Sequence, residues 1–240
     1  MEAKDPKNNP KDQRALTPAD LAKRIDHTLL KPDARDADID ALCVEAAKFG
    51  FYSVCVNSGR VARCARNLEG TEVKIASVVG FPLGAMDSQA KAAEARRAIE
   101  LGADEIDMVM NIGALKSGDL ETVRADVRAV TEVTGSSAVC KVIIETVLLT
   151  DEEKVAACRA AEEAGANFVK TSTGFAGGGA TVADVKLMRR SVGPHVRVKA
   201  SGGVRSFKDA VAMIGAGADR LGTSSGVAIV EGVPTAGTGY

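Results

Sequence analysis

Two lysines sit inside short apolar runs, where lysine is out of place. Lys170 lies in Asn167-Phe168-Val169-Lys170-Thr171-Ser172-Thr173-Gly174, with Gly177-Gly178-Gly179 just beyond. Lys199 lies in Val196-Arg197-Val198-Lys199-Ala200-Ser201-Gly202-Gly203. Lysine is a poor strand former and is almost never buried unless it is paired or at work. An edge strand with a solvated lysine would explain one such run, but two runs of the same design point to a site. A desolvated amine close to a second cation loses its proton more easily and becomes a nucleophile at neutral pH. Asp107, in Asp104-Glu105-Ile106-Asp107-Met108-Val109, can pass protons while a carbinolamine forms and collapses. These parts add up to imine chemistry that needs neither metal nor cofactor.

The glycine-rich turns suggest what the site holds. Gly174, the pair Gly202-Gly203 and the stretch Gly222-Thr223-Ser224-Ser225-Gly226 each follow an apolar run. Backbone N–H groups in such turns, with a short helix behind them, cradle phosphate, and in barrels they cluster after the seventh and eighth strands. Ser224 and Ser225 add hydroxyl donors, and Arg205 or Lys208 adds positive potential. One glycine pair would mean only a tight turn; three such loops together point to an anion site.

The elements that position these residues alternate regularly. Short runs rich in β-branched residues fall at Ile25–Leu30, Ser53–Asn57, Lys74–Gly80, Glu105–Asn111, Cys140–Thr146, Phe168–Thr173, Arg197–Gly203 and Arg220–Gly226. Amphipathic, alanine-rich helical segments separate them, and Thr17-Pro18-Ala19-Asp20 opens a short helix ahead of the first run. Each gap has room for a crossover helix, so the strands are expected to be parallel with right-handed connections. Eight runs count out a single α/β (β/α)8 TIM barrel, with a doubly wound open sheet as the alternative.

Glycine caps supply a ruler. Gly50, Gly102, Gly165 and Gly217 each close a helix before a run, and five residues further on stand Cys55, Asp107, Lys170 and Gly222. These are strands two, four, six and eight, and alternate strands share one layer of a barrel interior. Strand parity turns the charged residues inward, because the helix-covered outer face must be apolar. The lumen is thereby expected to hold Asp26, Glu105, Asp107 and Glu145 against Lys141, Lys170, Arg197 and Lys199, with Thr28 also facing in. Glu105 and Arg197 fall at the N-terminal ends of their strands, where an ion network is structural.

Composition bounds the function classes. The chain has 240 residues, a net charge of −1 and 3% aromatic residues, with no basic block that would suit nucleic acid. No apolar run approaches the ~20 residues that a membrane-spanning helix needs. Residues 1–15 are charged and without an apolar core, so they are expected to be a solvated tail rather than a secretory signal. The expected barrel spans 16–230, and 231–240 form a flexible C-terminal tail. Five scattered cysteines without CxxC spacing suggest free thiols in a cytoplasmic protein, and two histidines make a protein-built zinc site improbable.

Taken in order, several motifs closely resemble the deoxyribose-phosphate aldolase family of class I aldolases. They are Ile25-Asp26-His27-Thr28-Leu29-Leu30, Val79-Gly80-Phe81-Pro82-Leu83-Gly84, the Asp104–Val109 stretch, Lys141-Val142-Ile143-Ile144-Glu145-Thr146, Val169–Gly174, Lys199–Gly203 and Gly222-Thr223-Ser224-Ser225. The resemblance runs in register from about Leu21 to Ile229. It implies reversible, cofactor-free cleavage of 2-deoxy-D-ribose 5-phosphate to D-glyceraldehyde 3-phosphate and acetaldehyde. It also implies that Lys170 forms the Schiff base, Lys199 lowers its pKa and Asp107 is the proton donor and acceptor. Asp26, Thr28, Cys55, Thr173, Gly174, Gly202, Gly203, Gly222, Ser224 and Ser225 are then expected to line the substrate site, with Tyr240 as a tail contact. Where some relatives carry a lysine after the sixth-strand glycine, this chain has Phe175. A homodimer or higher homo-oligomer acting on small phosphosugars and aldehydes is the expected form. Another metal-free phosphosugar aldolase or isomerase, or a silent metabolite-binding barrel, would share many of these features.

Overall fold

The computed structural model describes residues 16–233. The tail 1–15 and the Tyr240 contact lie outside the described residues. Eight strands close into a parallel barrel in sequence order. They are β1 (Ile25–Leu29), β2 (Ser53–Asn57), β3 (Lys74–Val79), β4 (Glu105–Val109), β5 (Val139–Ile143), β6 (Phe168–Lys170), β7 (Arg197–Ser201) and β8 (Arg220–Thr223). The helices α1 (Pro18–Ala22), α2 (Asp36–Phe49), α3 (Val61–Asn67), α4 (Ser88–Glu100), α5 (Ile112–Lys116), α6 (Leu120–Thr134), α7 (Asp151–Glu163), α8 (Val182–Ser191), α9 (Phe207–Gly215) and α10 (Gly226–Glu231) follow the same order. This is the (β/α)8 barrel expected from the alternating pattern.

Local chemistry sets the boundaries. Thr17 caps α1, and Asp20 returns the hydrogen bond to the Thr17 N–H, so two backbone donors are satisfied at once. Thr150 with Glu153 and Ser206 with Asp209 repeat the device at α7 and α9. At the far end of α2, Gly50 takes φ 65°, a left-handed conformation that glycine adopts without a Cβ clash. Outward strand residues such as Ile106, Met108, Val142, Val169 and Val198 meet the helices in one apolar layer.

Several strands are shorter than their apolar runs. β6 stops at Lys170 because side chains take over the pairing beyond it. The Thr171 Oγ1 donates to the Ser201 carbonyl and accepts from the Ser201 N–H, both at 3.0 Å, and the Ser201 Oγ donates to the Ser172 carbonyl at 2.6 Å. β5 stops at Ile143, and Glu145 turns the chain at φ 56°. That turn opens a short 3-10 segment, Thr146–Leu148, and with α5 and α10 it escaped the sequence pattern because all three are only one or two turns long.

Two lumen assignments are corrected, those of Arg197 and Glu145. Arg197, expected inside, is exposed at the start of β7, with its guanidinium 4.1 Å from the centre of the Phe168 ring. The first residue of a barrel strand has an open rim below it, so a long cation there can reach water. Arg220, with the parity of Gly222, occupies the lumen instead and is buried against the Tyr52 ring.

Candidate active site

The lumen holds a linked set of ion pairs. Strand register sets Asp107 beside Lys141, and Lys170 beside Lys199. Asp107 accepts from Lys170 at 2.7 Å and from Lys199 at 2.7 Å on one oxygen, and from Lys141 at 2.6 Å on the other. Lys199 also donates to Asp26. Lys141 continues to Glu105 at 2.6 Å, and Arg220 joins Asp26 at 2.7 Å to Glu105 at 3.1 Å. All seven side chains are essentially out of water, so each charge depends on its neighbours rather than on solvent.

Counting partners separates the lysines. The network has three carboxylates (Asp26, Glu105, Asp107) and four bases (Lys141, Lys170, Lys199, Arg220). Lys141 touches three carboxylates and Lys199 and Arg220 two each, whereas Lys170 touches Asp107 alone. One base is in excess, and Lys170 is the least supported. Its burial and the neighbouring Lys199 ammonium outweigh Asp107 and hold its pKa below the ordinary lysine value. Burial works against charge on Lys199 too, but Asp107 and Asp26 override it and hold its pKa well above the ordinary value. Burial alone would raise Asp107, yet Lys141, Lys170 and Lys199 together hold it well below the carboxylate range. The set therefore favours a neutral amine on Lys170 beside a fixed ammonium on Lys199.

The remaining expected residues fall into distinct places. Cys55 is buried in the lumen, and desolvation pushes its thiol pKa up. Gly222 leaves the room that Lys199 uses, since a Cβ there would stand 2.9 Å from the Lys199 Cε. Gly174, Gly202, Gly203, Gly222, Ser224 and Ser225 share one cavity of about 600 Å³ at the C-terminal mouth of the barrel. Gly203, Val204 and Ser224 in its wall lie outside helices and strands, and their backbone N–H groups form no hydrogen bond among the described residues. Thr28 and Thr173 do not reach that cavity. The Thr28 hydroxyl donates to the Asp26 carbonyl at 2.8 Å and borders a neighbouring cleft beside α2. Thr173 donates its N–H, at 3.2 Å, and its hydroxyl to Glu145, beside a small apolar hollow with Pro82, Leu148 and Phe175. Glu145 is thus a prop for the β6 loop and not a member of the ion network.

Sequence reasoning missed two supports. Arg220 opens the last apolar run, and its parity with Gly222 marks it as inward. Lys91 is fully buried on α4 and donates to the Val109 carbonyl at 2.9 Å and to Asp126 at 2.7 Å; Asp126 also accepts the Asn111 N–H at 2.9 Å. This pair satisfies the backbone where β4 ends, just past Asp107. Its signal was the helical spacing of Lys91 with the buried Ala95 and Ala98.

Residues 18–232 match the family described as DeoC/LacD family aldolase. A deoxyribose-phosphate aldolase from Brevibacillus brevis is 61% identical over 220 residues, covering 92% of this chain and 99% of that protein. One from Streptococcus pneumoniae serotype 19F is 61% identical over 212 residues, covering 88% and 96%. Among solved structures, the tetrameric deoxyribose phosphate aldolase from Aeropyrum pernix superposes with a TM-score of 0.84 at 38% identity, covering 90% of this chain and 91% of that one. With the match running from α1 to the end of α10, this chain belongs to the DeoC/LacD aldolase family.

Proposed function

We propose that this aldolase reversibly cleaves 2-deoxy-D-ribose 5-phosphate to D-glyceraldehyde 3-phosphate and acetaldehyde through an imine on Lys170. The observation that carries the assignment is the single carboxylate partner of Lys170, which leaves its amine the one base without a balancing charge. The neutral Nζ adds to the C1 aldehyde of the open-chain sugar, and loss of water leaves an iminium. Removal of the C3 hydroxyl proton breaks the C2–C3 bond, and its electron pair moves into the iminium to give an enamine. Glyceraldehyde 3-phosphate leaves, the enamine takes a proton at C2, and hydrolysis frees acetaldehyde and Lys170. Asp107, 2.7 Å from both Lys170 and Lys199, relays the protons, and the charged Lys199 keeps Lys170 neutral. The glycine cavity takes the 5-phosphate on backbone N–H groups and the hydroxyls of Ser224 and Ser225.

Borohydride reduction with acetaldehyde, followed by peptide mass mapping, tests the assignment. The adduct is expected on Lys170 and absent from Lys170→Ala; an adduct on Lys199 would overturn it. Turnover of a different phosphosugar in preference to deoxyribose 5-phosphate would favour a related aldolase or isomerase activity.

The relationship to the tetrameric Aeropyrum pernix protein supports a homo-oligomer, which light scattering of the purified chain tests. A cytoplasmic enzyme is the setting that five free, buried cysteines favour. Among the described residues no helix is long and apolar enough to cross a membrane.

A further inference from the structure

A phosphate monoester carries close to two negative charges at neutral pH, and backbone N–H groups alone offset them only partly. Side chains carrying charge therefore decide how strongly such a cavity prefers a phosphorylated ligand. The residue after Gly174 cannot serve here, because it is Phe175. That ring stands edge-on to Phe81 at 5.2 Å and lines the apolar hollow rather than the glycine cavity.

Two cationic side chains do border the cavity: Arg205 from the loop after β7, and Lys31 from the loop after β1. Barrel closure explains why Lys31 is there. β1 pairs with β8, aligning Asp26 with Gly222 and His27 with Thr223, so the β1 loop rises beside Ser224 and Ser225. β7 flanks β8 on its other side, so the two cations stand on either side of the β8 loop.

The backbone at Lys31 is fixed while its side chain is free. The Asn57 side chain donates to the Leu30 carbonyl at 3.2 Å, and the Lys31 carbonyl accepts from the Ala34 N–H at 3.2 Å. Among the described residues neither the Lys31 ammonium nor the Arg205 guanidinium has an ion pair or side-chain hydrogen bond. Cations nearby do: Arg35 pairs with Asp38, and Arg60 and Arg63, at the start of α3, pair with Asp36. A pair of unspent cations facing a cavity with unspent N–H donors is arranged for a multiply charged anion.

We propose that Lys31 is a specificity-determining residue whose ammonium, with Arg205, grips the substrate phosphate from the β1 side. It supplies the charge that Phe175 cannot. The assignment rests on the phosphate reading of the glycine cavity given above, and it predicts that discrimination against the unphosphorylated sugar depends on a loop three strands away from Lys170.

The test compares Lys31→Met, Lys31→Arg and Ser224→Asp with the parent on deoxyribose 5-phosphate and on free deoxyribose. For Lys31→Met, the ratio of KM for phosphorylated to free sugar should rise about tenfold to a hundredfold, the range for losing one charged hydrogen bond. The inhibition constant of inorganic phosphate should rise in parallel, and Lys31→Arg should restore most of both. Lys31 is exposed, and an unchanged melting temperature separates the effect from misfolding. If Ser224→Asp changes the ratio and Lys31→Met does not, the Lys31 assignment is wrong and the phosphate cavity stands. If neither changes it, the cavity does not bind the phosphate, and the reading beneath both fails.

Discussion

Replacing Lys199 by leucine keeps much of its volume and removes one charge from the lumen, and the consequence for Lys170 can be worked out. Both ammonium groups lie 2.7 Å from the same Asp107 oxygen. They are thus no more than about 5.4 Å apart, and at an effective dielectric of about 20 they repel by about 3 kcal/mol. Removing that repulsion raises the Lys170 pKa back toward the ordinary lysine value. The charge count agrees in sign. Without Lys199 the three carboxylates face Lys141, Arg220 and Lys170, so a protonated Lys170 now balances the set. The variant should fold, with its nucleophile protonated at neutral pH. Profiles of kcat/KM against pH should show the acidic limb of Lys199→Leu displaced to higher pH, with activity recovering toward pH ~9–10. The same shift should appear in the pH dependence of borohydride trapping, which reads the amine directly. An unshifted acidic limb, or a loss of equal size at every pH, would refute the electrostatic account.

Other perturbations of the lumen follow from the same geometry. Asp107→Asn removes the carboxylate that Lys141, Lys170 and Lys199 share and should cost about 3–5 kcal/mol of stability, whereas Lys170→Met removes the excess base and should cost far less; urea melts of the two variants rank them. The carboxyls of Asp26 and Asp107 are held below their unfolded values, so their contribution is complete above pH ~4 and disappears as pH falls through the folded values. Urea midpoints that stay level from pH 6 down to 3 would contradict this. Gly222→Ala sets a Cβ 2.9 Å from both the Lys199 Cε and the Ser201 Cβ, and should lower kcat about tenfold or more by displacing Lys199. Every cysteine is buried and Cys55 is pushed toward its protonated form, so the native protein should react slowly with a disulfide reagent and the urea-unfolded protein fast. Rapid labelling of Cys55 in the native state would show that the lumen opens.

The barrel was legible because its punctuation is regular. Glycines closing four helices set a common offset to Cys55, Asp107, Lys170 and Gly222, and parity told inward from outward residues without any three-dimensional information. The glycine cavity was legible for the same reason, since its loops follow strands whose order closure fixes. What stayed hidden depended on contacts between distant segments. Lys31 belongs to the first loop and meets the cavity only because β1 closes on β8. Thr28 and Thr173 share motifs with site residues, yet the carbonyl of Asp26 and the carboxylate of Glu145 draw them aside.

The lumen charges show where parity stops being enough. Parity counts four acids and four bases, a balanced set in which no lysine stands out. Two of those eight leave: Arg197 opens to the rim, and Glu145, beyond the end of β5, turns to Thr173. One enters: Arg220, the first residue of its run, shares the parity of Gly222 and joins Asp26. The corrected set is three acids against four bases, and only in that set is one base in excess. Pairing then selects it, since Lys170 alone has a single carboxylate. Facing the lumen is a property of the strand, readable from alternation. Being the neutral amine is a property of the whole network, and it emerges only when every partner has been placed.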